Sequence, residues 1–169
     1  MKKTAAIAFI IFILFGQQSC GIYSFTGASI ASNVQSFQVN FFRNNAPIVE
    51  PGLDRDFTQA LQNIILNQTS LDLTNQNADL IYEGEIVDYY IAPITATAQN
   101  TAAQNRLTIA VNLRFYDTKN EGNDIEQRFS FYFDYPGQAQ LTGSQRDDAV
   151  AVIFERLTQD IFNATLAKW

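Results

Sequence analysis

From Val34 onward the hydrophobic positions follow two periods, and the switches between them outline a fold. Residues 34–43 alternate, with Phe37, Val39 and Phe41 on one side and Ser36, Gln38 and Asn40 on the other, which predicts a half-buried strand. After Pro47 and Pro51 the step lengthens to three and four. Leu53, Phe57, Leu61, Ile64 and Ile65 form one stripe, with Asp54 and Asp56 in the first turn, and predict an amphipathic helix ending near Gln68. Leu71–Thr74 reads as a short extended piece. Residues 78–91 predict a long strand with Leu80, Tyr82 and Ile86 on one face and Ile81, Glu83, Glu85, Val87 and Tyr89 on the other. Gly84 at its centre marks a bulge or a close backbone approach. Residues 92–104, rich in Ala, Thr, Gln and Asn, read as a mobile loop.

Two further strands carry clear alternation. Leu107, Ile109, Val111, Leu113 and Phe115 alternate with Thr108, Ala110, Asn112, Arg114 and Tyr116. Beyond the polar turn 117–123, Ile125, Gln127, Phe129, Phe131, Phe133 and Tyr135 oppose Glu126, Arg128, Ser130, Tyr132 and Asp134. Such a pair predicts an antiparallel hairpin. Phe129, Phe131 and Phe133 are expected to enter the core beside Ile109, Val111 and Leu113. Pro136-Gly137 ends the strand. Ser144, with Asp147 three positions on, is the expected cap of a last helix with Val150, Ile153, Phe154, Leu157, Ile161 and Ala164 as its stripe. The order is β-α-β-β-β-α. One apolar face per strand and one stripe per helix predict an α+β two-layer sandwich, a mostly antiparallel four-stranded sheet with two helices on one face.

The first 33 residues do not belong to this pattern. Lys2 and Lys3 precede an apolar run from Ala5 to Phe15, a signal-peptide length too short to span a bilayer comfortably. Cys20 follows, with small Ser19 before it and Gly21 after it. Residues 1–19 are therefore expected to be a lipoprotein signal peptide, with Cys20 the lipid attachment site. Residues 20–33 would be a lipidated tether that docks on the domain at 34–169. Gln17-Gln18 departs from the usual aliphatic-then-small pair. The other reading is an ordinary cleaved signal followed by a free thiol, a liability in an oxidising compartment.

Composition narrows the function. Two of the 11 basic residues leave with the signal, so nine face 17 acidic ones and the mature chain carries −8. That balance excludes a general nucleic-acid binder and broad attraction to anionic membranes, which leaves the acyl anchor as the membrane link. With no histidine, the commonest general base and metal ligand is missing. No phosphate-binding glycine loop is present. The pairs Asp54/Asp56 and Asp147/Asp148 stand where helices begin, as the helix dipole favours. No catalytic residue, metal site or cofactor is expected, and the chain is not read as an enzyme.

The second sheet face carries Arg114, Tyr116, Arg128 and Tyr132, with Lys119 at the hairpin tip. One reading is a solvated face with cross-strand charge pairs, neighbours such as Glu126 neutralising the basic groups. The other is a docking surface, since tyrosine and arginine are enriched at interfaces, suited to the polar lumen of a large barrel. At this point Cys20-Gly21-Ile22-Tyr23-Ser24-Phe25-Thr26-Gly27, followed by Ser29-Ile30, resembles the start of mature LptE-type lipopolysaccharide-assembly lipoproteins, although Ile22 looks like an insertion. Residues 78–86 are similar to that family's second strand, and the element order matches over most of 20–167. The resemblance implies a palmitate-type acylated, periplasm-facing outer-membrane lipoprotein that plugs an LptD-type β-barrel and supports its assembly. The pair would move lipopolysaccharide to the outer leaflet. The family's glycolipid-contacting residues find no matching basic motif here. The alternative is a periplasmic lipid-binding or auxiliary lipoprotein of another envelope transport system, which needs an apolar pocket between sheet and helices.

Overall fold

The computed structural model describes residues 29–94, 104–137 and 141–167. The signal, Cys20 and the tether through residue 28 lie outside the described residues, as does most of the 92–104 loop. The elements run β1 (Ser36–Val39), β2 (Arg43–Asn44), α1 (Leu53–Gln68), β3 (Asp72–Leu73), β4 (Leu80–Pro93), β5 (Gln104–Asp117), a 3-10 turn (Glu121–Asn123), β6 (Ile125–Pro136) and α2 (Gly143–Leu166). The protein is an α+β two-layer sandwich. Its sheet is ordered β3-β1-β4-β5-β6, with β2 also paired to β4. β4, β5 and β6 form an antiparallel meander, whereas β1 and β2 run parallel to β4, and β3 parallel to β1. The α1 crossover explains the parallel half, because parallel neighbours need a long connection.

α1 has the bounds its stripe predicts; Gly52, at φ 85°, turns the chain into it. Leu53, Phe57, Leu61 and Ile65 are fully buried. Thr58 caps the arrangement from the side: its Oγ1 donates to the Asp54 carbonyl at 2.7 Å and accepts the Phe42 amide at 3.1 Å. α2 starts at Gly143, not at Ser144, and Thr142 precedes it without a side-chain cap bond. Gly143, at φ 60°, makes the entry turn itself. Tyr82 of β4 meets Thr165 of α2 at 3.1 Å between hydroxyls, and Phe57 and Phe154 pack edge to face across the two helices. Both helices therefore cover the face that bears Tyr82.

Two facing assignments change. Phe41 is exposed and Phe42 fully buried, the reverse of a continuous alternation. Val39 pairs with Tyr82 and Arg43 with Glu85, so four residues of the β1–β2 path match three of β4, and the extra residue flips the phase. Tyr89, expected on the polar face, is buried in the core. The β4–β5 register slips between Ile86 and Asp88, and the slip turns Tyr89 inward. Gly84 is the close approach, with the Phe42 ring over it, and the bulge lies at Val87 instead. Ahead of β1, the Ser29 amide donates to the Leu166 carbonyl at 2.7 Å, and Ile30 packs on the core.

A candidate interaction face on the open side of the sheet

The antiparallel register sets the open face in cross-strand rows. From the end nearest Ser29 they include Glu83–Arg114–Glu126, Glu85–Asn112–Arg128, Asp88–Ala110–Ser130, Tyr90–Thr108–Tyr132 and Ala92–Arg106–Asp134. Arg114 and Arg128 thus occupy adjacent rows of one face, as the alternation predicts. Each has an acidic partner on β4. Arg114 Nε lies 3.1 Å from Glu83, which raises its already high pKa further; Glu126 stands opposite in register but is not the ion-pair partner. Arg128 reaches across β5, over the small Ala110, to pair with Asp88.

Lys119 is not part of that group. Its ammonium lies 2.9 Å from Asp79 at the head of β4. Asp79 also accepts the Gln35 amide at 2.8 Å, the Ser36 amide at 3.1 Å and the Ser36 hydroxyl at 3.2 Å. These donors, the Gln35 amide foremost and Lys119 next, lower its pKa to about 2. The hairpin tip is therefore tied to the entry of β1, and its charge serves that knot.

Tyr116 and Tyr132 are exposed, as is Tyr90, which shares Tyr132's row with Thr108 between them. The Arg106 guanidinium lies 3.6 Å from the centre of the Tyr132 ring and forms a two-pronged pair with Asp134, at 2.7 and 2.8 Å. The Arg106 hydrogen bond holds Asp134 below the usual carboxylate range. Tyr90, Arg106 and Asp134 extend the candidate face beyond the residues singled out from sequence. Arg106 has the same parity as Thr108, so carrying the alternation one step back would have found it. A planar cation stacked on a ring and locked by a carboxylate is rigid, which lowers the entropic cost of docking.

On the other side, the helices leave an open groove of about 690 Å³, lined among others by Ala60, Ile64, Val150, Phe154, Asp147 and Glu155. It lies on the outer surface between α1 and α2. Beneath it the space between helices and sheet is filled by fully buried Phe37, Phe42, Phe57, Tyr82, Phe115 and Phe162. Among the described residues, no helix is long and apolar enough to cross a membrane, and no group of three or more His, Cys, Asp or Glu could hold a metal ion.

The described residues thus form a two-layer α+β domain with a filled core and a charge-paired, tyrosine-bearing sheet face. The family model described as LptE, lipopolysaccharide-assembly, matches residues 34–165, and the chain belongs to that family. No curated protein matches the sequence. Similar solved structures include the rare lipoprotein B of Shewanella oneidensis (11% identity, TM-score 0.43, covering 75% of this chain and 89% of that one). A minor lipoprotein from Acinetobacter baumannii has 16% identity and TM-score 0.42, over 80% and 98% of the two chains. A protein from Xanthomonas campestris has 8% identity and TM-score 0.49, over 78% and 84%.

Proposed function

We propose that this protein is an outer-membrane lipoprotein, acylated at Cys20 and facing the periplasm, that plugs an LptD-type β-barrel and supports its assembly for lipopolysaccharide delivery to the outer leaflet. It acts by contact and catalyses no reaction. The observation that carries the reading is the family match over 34–165, nearly the whole folded domain. The open sheet face supports it. Its tyrosines and arginines are of the kind that anchor interfaces, yet its cations are neutralised by Glu83, Asp88 and Asp134 within the chain. Such a face suits a polar lumen wall better than an anionic glycolipid. A lipid carrier is less well supported, because aromatic side chains occupy the space an acyl chain would need.

The test is recovery of the tagged lipoprotein from outer membranes in mild detergent. The β-barrel should remain bound at about one copy per lipoprotein, and Arg114→Glu with Arg128→Glu should weaken its capture while sparing the fold. Recovery without any barrel, or with only soluble carrier partners, overturns the reading. Should only the double variant behave as wild type, the contact lies off this face.

A further inference from the structure

β6 closes the meander on one side, and among the described residues it pairs with β5 alone. Its other edge is a run of 12 residues, Ile125–Pro136, with no proline before the last position and no register slip against β5. Long regular edges present unpaired amides and carbonyls to any strand that can match them, and proteins usually blunt them with bulges, prolines or brevity. β6 has none of these before Pro136. The core-side row is also incomplete. Phe129 is buried, but Phe131 and Phe133 are only half-buried where neighbouring β5 residues are fully covered. On α2, the Arg156 guanidinium lies 5.7 Å from the centre of the Phe131 ring.

We propose that β6 is a self-association edge, pairing antiparallel with β6 of a second copy with Phe131 at the two-fold axis. The sequence favours this occupant and this register. A shared two-layer sheet needs core-side residues opposite core-side residues. With Phe131 on the axis, Phe129 faces the partner's Phe133, Ser130 faces the partner's Tyr132, and Arg128 faces the partner's Asp134. The open face then reads Asp88, Arg128, the partner's Asp134, the partner's Arg106, an alternation of sign that extends two intrachain ion pairs across the junction. Shifting the centre to Ser130 sets Glu126 against the partner's Asp134, two like charges. Two copies joined this way bury the open halves of Phe131 and Phe133.

The test uses full-length protein in mild detergent. Ser130→Cys and Tyr132→Cys are exposed substitutions that leave the core intact. Sedimentation should show a dimer whose share rises with protein concentration. Under mild oxidation, a one-to-one mixture of the two variants should give a cross-link mapped by mass spectrometry between 130 and 132. Either variant alone should give little. Monomer at every concentration overturns the proposal and leaves the edge to a strand from another protein. Equal cross-linking in all three samples, or cross-linking of Ser130→Cys alone, overturns the register. The readout involves the purified chain only, so its failure leaves the barrel reading standing.

Discussion

A Cβ built on Gly84 would sit 2.1 Å from the Asn112 carbonyl oxygen and 2.7 Å from Phe42 Cε1. The first contact is with backbone, so relief requires parting β4 from β5 and cannot come from a rotamer change. Gly84→Ala should therefore destabilise by about 1–3 kcal/mol or more, and trimming Phe42 to leucine should not rescue it. A denaturation midpoint equal to wild type would contradict this packing. The Tyr135 hydroxyl presents the opposite case: it is buried and has no partner among the described residues, and burial raises its pKa. Deleting an unsatisfied buried hydroxyl removes a desolvation cost, so Tyr135→Phe should leave stability unchanged or raise it by up to about 1 kcal/mol. A clear loss would reveal a hydrogen-bond partner. Asp79 makes a pH prediction. Its folded pKa, about 2, lies below the unfolded value. Its stabilisation is thus complete above roughly pH 5 and fades as pH falls through about 4 toward 2. Thermal unfolding should show Asp79→Asn less stable than wild type near neutral pH, the two converging in strong acid.

Among the elements, the sequence pattern was legible wherever one face of an element stays in register with one core. α1, β5 and β6 satisfy that condition, and the stripe Leu53, Phe57, Leu61 and Ile65 and the row Leu107 to Phe115 all lie inside. It fails where backbone count, invisible in side-chain pattern, shifts the phase. One extra residue between Val39 and Arg43 buries Phe42 in place of Phe41, and the slip at Val87 buries Tyr89. The candidate face was half legible for the same reason: alternation placed Arg114 and Arg128 together, but Glu83 and Asp88 are fixed as their partners only by register. The pairing of Lys119, at the hairpin tip, with Asp79 was not legible, because Asp79 is 40 residues away in sequence. Strand position also grades the phenylalanines of β6. Phe129→Ala should cost about 3–5 kcal/mol, as for a buried aromatic. Phe131, half-buried at an edge strand, should cost clearly less in dilute monomer. Urea titration of both variants checks the order; equal losses would mean the edge is covered in solution.

For the whole molecule, charge decides between attraction and docking. The chain carries −6 in full and −8 from residue 20 onward, and every arginine named on the open face has an acid of its own within reach. Exposed pairs of this kind contribute roughly 0–1 kcal/mol each to stability. Their larger effect is on the field, since a paired cation presents little net potential to an approaching anion. A cationic spot strong enough to hold anionic lipid would reveal itself by binding that strengthens as salt is lowered, because a longer Debye length lets more charges act together. This protein is expected to do the opposite. Without the proposed acyl anchor, the domain should show no binding to vesicles containing phosphatidylglycerol, at physiological salt or at roughly tenfold less, where long-range repulsion from its net charge grows. Co-sedimentation with Cys20→Ser protein makes the measurement, since that variant keeps every charge and lacks the acceptor for the anchor. Binding that appears at low salt would mean that Arg106, Arg114 or Arg128 breaks its pair to take an external anion, and the open face would then be a lipid surface instead of a protein one.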